Sequence, residues 1–278
     1  MTNGYISRKT GHENGRVSEV IDLVDPNRSC DLLQDAPSAR WASVGGNLNG
    51  RPLICGGWYP NNRLQDCFFV QGNTNQKISL TQERSSAGVV VLNGKKLHFN
   101  NQLIKQFDFS KKNVTDKNGD DFLWIVGGAD GNGPRSADCC VGLNSTEFVY
   151  ASGQTSSGPM LDFTIKDHCM VKLSDNRIFI IGGDQNGDIS NQVWVVEVDP
   201  SKNFKITIGQ PLRRSRRHFS CAAFEDDIDG TTKIIIAGGN SPSQNGMDSV
   251  EILNLSVTGS QWTEGNHYLS TELKAKKK

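Results

Sequence analysis

The sequence has few of the features that mark membrane proteins, nucleic-acid-binding proteins or exported proteins. Its longest apolar run, Ile234–Ala237 with its immediate flanks, is far too short to span a bilayer. Thirty basic and thirty acidic side chains cancel, so no net charge attracts nucleic acid or an anionic membrane. Residues 1–15 are polar and lack the apolar stretch of a secretory signal. These absences predict a soluble, cytoplasmic chain with no nucleic-acid partner and no membrane partner.

Glycine, in contrast, is abundant, and glycine pairs mark a repeat. Four runs of β-forming apolar residues end in such a pair, at Pro52–Gly57, Leu123–Gly128, Ile178–Gly183 and Ile234–Gly239. The last two intervals between pairs are 55 and 56 residues (127 to 182 and 182 to 238). A period of about 50 residues with a double glycine indicates one β unit per repeat.

Each repeat contains four short strands. An Arg or His precedes the first strand, and apolar third strands follow the glycine pairs at Ser145–Tyr150, Gln192–Val198 and Ser249–Leu253. A fourth strand is clearest around Trp262. Four antiparallel strands per repeat are typical of a propeller blade. We therefore predict an all-β fold, a β-propeller with four full four-stranded blades and a partial N-terminal blade at Val17–Leu33.

The glycine pairs, with the third-strand pairs Thr146-Glu147 and Val250-Glu251, resemble the Kelch repeat superfamily over roughly Val17 to Trp262. The resemblance implies a propeller that serves as a recognition surface for a protein or peptide rather than as an enzyme. Nothing in the chain resembles the BTB or BACK regions that often precede Kelch blades.

The predicted domain organisation has one propeller between two tails. Residues 1–16 are expected to form a flexible tail, residues 17–266 the propeller, and residues 267–278 a flexible basic tail. The interval from Gly56 to Gly127 is 71 residues, which is too long for one repeat. We therefore predict an insertion at residues 95–122, within the first hairpin of its blade.

Seven cysteines show no two-residue spacing of the kind found in zinc ribbons or redox motifs. Cys55 and Cys67 lie on neighbouring strands, and Cys169 and Cys221 take equivalent places in first strands. The favoured interpretation is free buried thiols that pack as small hydrophobes. The alternative is an extracellular, disulfide-bonded and glycosylated propeller fragment that binds carbohydrate or protein, with sequons at Asn27, Asn113, Asn144 and Asn254.

Candidate cofactor sites are weak, and we predict no cofactor, no metal and no catalytic residue. His168 and His218 precede adjacent first strands, and the related galactose-oxidase-like enzymes hold copper with His and Tyr, so that enzyme class is an alternative. The cluster Asp184–Asp188 does not follow the ligand spacing of a calcium loop. Its Asn-Gly pair is expected in a hairpin turn instead.

The predicted binding surface combines the loops after the second strands with the segments before the first strands. Arginines there suit carboxylates of an acidic partner, and a tryptophan would supply an aromatic anchor. Arg40, Arg84 and Arg217 take the same place in their repeats; the alternative role for these arginines is structural, bonding to loop carbonyls. The predicted partner-binding residues are Arg40, Arg84, Arg213, Arg214, Arg217, Trp58, Asp130, Asp184 and Asn240.

Overall fold

A computed structural model shows an all-β chain of antiparallel sheets. The structure describes residues 19–20, 31–32, 36–59, 62–70, 78–93, 121–131, 141–173, 177–198 and 204–265. None of these residues forms a helix long and apolar enough to cross a membrane. The chain divides into two compact units, Met1–Thr164 and Ile165–Lys278.

Two four-stranded sheets, each built from consecutive parts of the chain, form the first unit. The first sheet contains β3 (Val44–Leu48), β4 (Arg51–Cys55), β7 (Asp66–Phe69) and β8 (Ile78–Ser79) in that order. The second contains β9 (Gly88–Asn93), β10 (Asp121–Val126), β13 (Thr146–Tyr150) and β14 (Thr155–Ser157). Three two-stranded sheets accompany them: β1 (Glu19–Val20) with β2 (Asp31–Leu32), β5 (Trp58–Tyr59) with β6 (Asn62–Arg63), and β11 (Ala129–Asp130) with β12 (Val141–Gly142).

The second unit repeats the same design. Its third sheet contains β16 (Cys169–Lys172), β17 (Arg177–Ile181), β20 (Val193–Val198) and β21 (Phe204–Ile208). The fourth contains β22 (Ser220–Glu225), β23 (Thr232–Ala237), β24 (Val250–Asn254) and β25 (Thr263–Glu264). A three-stranded sheet joins β15 (Ile165–Lys166), β18 (Asp184–Gln185) and β19 (Asp188–Ile189). Within the described part of the chain, no sheet closes on itself.

Each glycine pair directly follows the second strand of a four-stranded sheet, as the sequence predicts. Gly56 and Gly182 have φ of 61° and 55°, in the left-handed region that favours glycine. A Cβ on Gly56 would lie 2.4 Å from the carbonyl oxygen of Arg84, and one on Gly182 would lie 2.9 Å from that of Arg216. Glycine is needed here because the backbone of the next sheet approaches this closely.

The core lies between successive sheets of one unit. In the first unit, buried side chains of β4 and β10 pack together, with Leu53, Leu123 and Ile125 almost fully buried. In the second unit, Trp262 packs into a core with Ile181 and Ile236, and its indole N–H donates to the carbonyl of Gln210. β10 shows no alternation of buried and exposed residues, because both of its faces are covered.

Several sequence predictions concern the loops and termini. The Asn-Gly turn is confirmed: Asn186 and Gly187 have positive φ and connect β18 to β19. β9 ends at Asn93 and pairs with β10, so the strands flanking the predicted insertion form one hairpin. The last two residues of the predicted insertion, 121 and 122, belong to β10; its residues 95–120 and both predicted tails lie outside the described residues.

Candidate binding face

A segment of four residues precedes the first strand of each four-stranded sheet, and its third residue has the same left-handed backbone conformation each time. We call residues 40–43, 84–87, 165–168 and 216–219 the lead-in segments. Their third residues all have φ between 54° and 56°, although a side chain is present on each: Ala42, Ser86, Asp167 and His218. Within a unit these residues are linked, since the N–H of Ser86 donates to Ala42 and that of His218 to Asp167.

The second residue of each lead-in segment pairs with the residue that follows the glycine pair of the same sheet. The pairs are Trp41 with Trp58, Ser85 with Ala129, Lys166 with Asp184, and Arg217 with Asn240. The segment before the first strand and the loop after the second strand therefore meet at one end of each sheet. We call this end the loop face of the sheet.

The first residue of the second lead-in segment is a buried arginine. Arg84 is 1% exposed and donates to the carbonyls of Gly127 (2.9 Å) and Ser145 (3.3 Å). Its guanidinium also donates to Glu147 of β13 at 3.3 Å. The other oxygen of Glu147 accepts the backbone N–H of Thr81 at 2.5 Å. The pair therefore ties the lead-in segment to the glycine pair and to the third strand.

The fourth sheet contains the same arrangement. Arg216 is fully buried and donates to Gly238 at 2.9 Å, to Ser249 at 3.3 Å and to Glu251 at 2.5 Å. Glu251 also accepts the backbone N–H of Arg213 at 2.8 Å. The match in donors, acceptors and register shows that Arg216, and not Arg217, is the counterpart of Arg84. The prediction that Arg217 shares the place of Arg84 was wrong by one residue.

The other two sheets vary this theme. Arg40 is buried and donates to Gly56 (3.1 Å) and to the carboxylate of Asp66 (2.7 Å), and it lies over the ring of Phe68. In the third sheet Ile165 occupies the arginine position and is fully buried. Trp194 stands opposite Ile180, in the register that Glu147 and Glu251 occupy in their sheets.

Burial dominates the electrostatics of the arginine–glutamate pair. It lowers the pKa of Arg84 and raises the pKa of Glu147, while the attraction between the two charges opposes both shifts. The hydrogen bond from Thr81 also favours the ionised form of Glu147. Burial removes water from both charged groups, which costs free energy, so each group needs the other to remain ionised in the fold.

Two cationic residues of the second unit, Lys166 and Arg217, take the second lead-in position. Asp184 is buried between Lys166 (3.7 Å) and Arg217 (3.5 Å). The Arg217 side chain is 36% exposed, whereas that of Arg216 is fully buried. With Asp167 of the same lead-in segment as Lys166, two carboxylates balance the two cations, and of these four side chains that of Arg217 is the most exposed.

A histidine–carboxylate pair occupies the third position. Nε2 of His218 lies 2.8 Å from a carboxylate oxygen of Asp167. The imidazole is 52% exposed and the carboxylate only 7%. Asp167 can hold the imidazole in one orientation through Nε2, so that Nδ1 of His218 is the nitrogen available to contact a ligand. Within the described ranges, no group of three His, Cys, Asp or Glu side chains is placed to hold a metal ion.

The loop face of the first sheet is aromatic. Trp41 and Trp58 form an edge-to-face pair with ring centroids 4.8 Å apart. The Arg63 guanidinium lies 4.5 Å from the centroid of Trp58, and Tyr59 is 37% exposed beside them. Trp58, which was predicted to be an aromatic anchor, therefore lies at a loop face, and the guanidinium of Arg63 covers part of its ring.

The remaining predicted residues have partners inside the chain. Asp130 accepts from Gln82 at 3.0 Å, and Asn240 accepts the N–H of Gly246 at 2.8 Å. Arg214 forms an exposed ion pair with Glu264 at 2.9 Å. The structure thus places Trp58, Asp184, Arg217 and Asn240 at loop faces, Asp130 next to one, and Arg40 and Arg84 in the interior of their sheets.

His168, expected to precede its strand as the arginines do, is the fourth lead-in residue and is buried. Burial lowers its pKa to about 4, and the nearby charge of Asp167 opposes this shift. Neither ring nitrogen has a hydrogen-bond partner among the described residues.

This burial predicts a loss of stability in mild acid. Between pH 6.5 and about 4 the unfolded chain binds a proton on His168 that the folded chain excludes, so stability falls as pH falls through this window. The loss should approach about 3 kcal/mol at pH 4. Urea unfolding from pH 7 to pH 4 should show a shallower dependence for His168→Ala, which copies Ala87 of the second lead-in segment. Parallel curves for the two proteins would contradict the assignment.

Two disulfides correct the interpretation of free buried thiols. Cys55 bonds to Cys67 across β4 and β7, and Cys169 bonds to Cys221 between the first strands of the third and fourth sheets. The other three cysteines lie outside the described residues. From the sequence each pair was expected to lie close together, with free thiols favoured over disulfides.

Comparisons with known proteins bear on the fold. No family model matches the sequence, and no curated protein does. Among solved structures, the chain is similar to the structure of YjhT, with a TM-score of 0.63 and 13% sequence identity. The match covers 91% of this chain and 78% of that chain. At this identity the likeness concerns the all-β fold alone.

Proposed function

We propose that the chain is a Kelch-type β-propeller with four full blades and a partial N-terminal blade, and that it is a non-enzymatic recognition module. Its loop faces bind a protein or peptide. The observation that carries this proposal is that each lead-in segment is divided into a buried first position and variable second and third positions. Their first residues are buried and have intramolecular partners, whereas the second and third residues share a backbone but differ in side chain from sheet to sheet.

Such a division is typical of recognition surfaces. A rigid scaffold with variable residues at one end lets the ligand change without any change of fold. The aromatic pair of Trp41 and Trp58 in the first unit and the charged group of Lys166, Arg217 and His218 in the second unit offer two different contacts. Aromatic residues and arginine are the side chains that contribute most to binding at protein interfaces.

The exposed guanidinium of Arg217, beside Asp184, favours an acidic segment. The Arg217 side chain is 36% exposed and makes one long hydrogen bond to Asp184 (3.5 Å). A carboxylate of the partner can accept from the terminal nitrogens of this guanidinium.

A direct test uses fluorescein-labelled hexaglutamate as the probe and fluorescence anisotropy as the readout. Arg217→Ala should weaken binding about tenfold, the loss of one charge-assisted hydrogen bond, and should reduce the salt dependence. Arg214→Ala is the matched control: it removes one exposed positive charge, but from an ion pair outside the lead-in segments. Equal weakening by both variants, or no binding by the wild type, would overturn the acidic-ligand proposal.

The two disulfides favour an extracellular setting over the cytoplasm that the sequence predicted. Disulfides persist in oxidising compartments and are rare in the cytosol. We therefore propose that this recognition module works in an oxidising compartment, where the alternative ligand class is carbohydrate. The aromatic pair at the first loop face is the feature that suits a sugar ring. A panel of fluorescein-labelled oligosaccharides in the same anisotropy assay distinguishes the two classes: sugar binding should be weakened by Trp58→Ala and unaffected by Arg217→Ala.

A further inference from the structure

The turn that follows β24 contains a sequon, Asn254-Leu255-Ser256. Asn254 is the last residue of the strand and is partly exposed, and Ser256 is exposed. The side-chain oxygen of Asn254 accepts the backbone N–H of Ser256 at 3.0 Å. This local bond orients the side-chain amide at the surface turn, next to the hydroxyl of its own sequon.

The sequon lies at the end of the fourth sheet opposite its loop face. β24 begins with Val250 opposite Ala237, next to the glycine pair, and it ends with Asn254 opposite Lys233. A large hydrophilic group on Asn254 would therefore extend into solvent away from Arg217 and His218. It would not obstruct the surface that we propose for binding.

The sequon at Asn144 has a different environment and serves as an internal comparison. Thr146 is buried, and its hydroxyl donates to the carbonyl of Pro159 at 2.8 Å. Ser145, between the two, accepts from the buried Arg84 through both its carbonyl and its hydroxyl. This sequon is held inside the arrangement that joins the lead-in segment to β13, and its Thr146 is buried. Ser256, in contrast, is exposed, and its hydroxyl oxygen accepts the backbone N–H of Thr232 at 3.3 Å.

We propose that Asn254 is an N-glycosylation site. The sequon supplies the acceptor chemistry, and the two disulfides independently favour an oxidising compartment, the setting in which N-glycans are attached. In the transfer, Nδ2 of Asn254 bonds to the anomeric carbon of a lipid-pyrophosphate-linked oligosaccharide. The bond from that carbon to the pyrophosphate oxygen breaks, the lipid pyrophosphate leaves as an anion, and one amide proton passes to a base of the transferase.

The test is site-by-site mass spectrometry of the full chain, secreted from a eukaryotic cell line behind a signal peptide. Enzymatic removal of the glycan in heavy-oxygen water should convert Asn254 to heavy-oxygen-labelled Asp in most molecules. Asn254→Gln and Ser256→Ala should each abolish this label, whereas Ser256→Thr and Asn144→Gln should retain it. The use of two abolishing variants keeps the test valid if one of them is not secreted.

An unmodified Asn254 peptide in secreted, disulfide-bonded wild-type protein would overturn the proposal. Failure here leaves the proposed binding function intact, because Asn254 lies away from the loop face. Failure of hexaglutamate binding likewise leaves the glycosylation site standing, so the two proposals are tested separately.

Discussion

Replacement of Arg84 with alanine is expected to lower the free energy of unfolding by about 3–5 kcal/mol. The variant removes the donor to four acceptor atoms, on Gly127, Ser145 and Glu147. It also leaves Glu147 buried without its counter-charge. Because burial already raises the pKa of Glu147, the carboxyl group would take up a proton in the variant at higher pH than in the wild type. The loss should therefore be largest at neutral and alkaline pH.

Urea unfolding of the purified variant measures this effect. Arg214→Ala is the exposed control, and its ion pair with Glu264 should be worth less than about 1 kcal/mol. The double variant Arg84→Ile with Glu147→Leu imitates the third sheet, where Ile165 replaces the arginine, and should recover part of the loss. An Arg84→Ala protein as stable as the Arg214→Ala protein would contradict the structural role.

Removal of the disulfide between Cys169 and Cys221 should have an effect of similar size. The bond joins residues separated by 52 positions, so in the chain-entropy account its loss costs about 4 kcal/mol. The bond between Cys55 and Cys67, with a separation of 12, should cost about 3 kcal/mol. The measurement is urea unfolding of the two double-alanine variants.

A thiol titration of denatured, unreduced protein is the control for this prediction. Of seven cysteines, four lie in the two disulfides, so no more than three should react before reduction. Seven reactive thiols in protein from an oxidising host would contradict the pairing. A double-alanine variant that matched the wild type in stability would instead show that the bonds form without stabilising the fold.

The strands were predictable because their signal is local. Each apolar run before a glycine pair is long enough to mark a buried strand, and the pair itself marks the close approach of the next sheet. The Asn-Gly turn at 186–187 was predictable for the same reason. The start of β10 was missed by two residues: the polar Asp121 adds nothing to the apolar pattern, whereas the buried Phe122 extends it and was overlooked.

The register of the lead-in segments was not predictable from residue type. What the four segments share is a left-handed third residue, and its identity varies from Ala42 to His218. The run Arg213–Arg217 offers several arginines in place of one, so the sequence alone does not say which is buried. In the third sheet the first lead-in position holds the apolar Ile165. A pattern of charged residues therefore points to His168, which is three residues further on.

The burial of the arginines depends on a partner that is distant in sequence. Glu147 and Glu251 lie on the third strands of their sheets and accept from the arginines. Each follows by two positions a serine, Ser145 or Ser249, whose carbonyl also accepts from the same arginine. In the sequence, Thr146-Glu147 and Val250-Glu251 serve only as markers of the repeat. A glutamate among apolar β-formers, with an arginine before the same sheet, is the signal that predicts the buried pair.

The most direct test of the account compares Arg216 and Arg217, which are neighbours in sequence with opposite environments. We predict that Arg216→Ala loses about 3–5 kcal/mol of unfolding free energy, as expected for a broken buried pair. Arg217→Ala should stay within about 1 kcal/mol of the wild type, yet bind hexaglutamate more weakly. The opposite result, a destabilised Arg217→Ala protein beside a fully stable Arg216→Ala protein, would contradict the division between buried scaffold and exposed binding face.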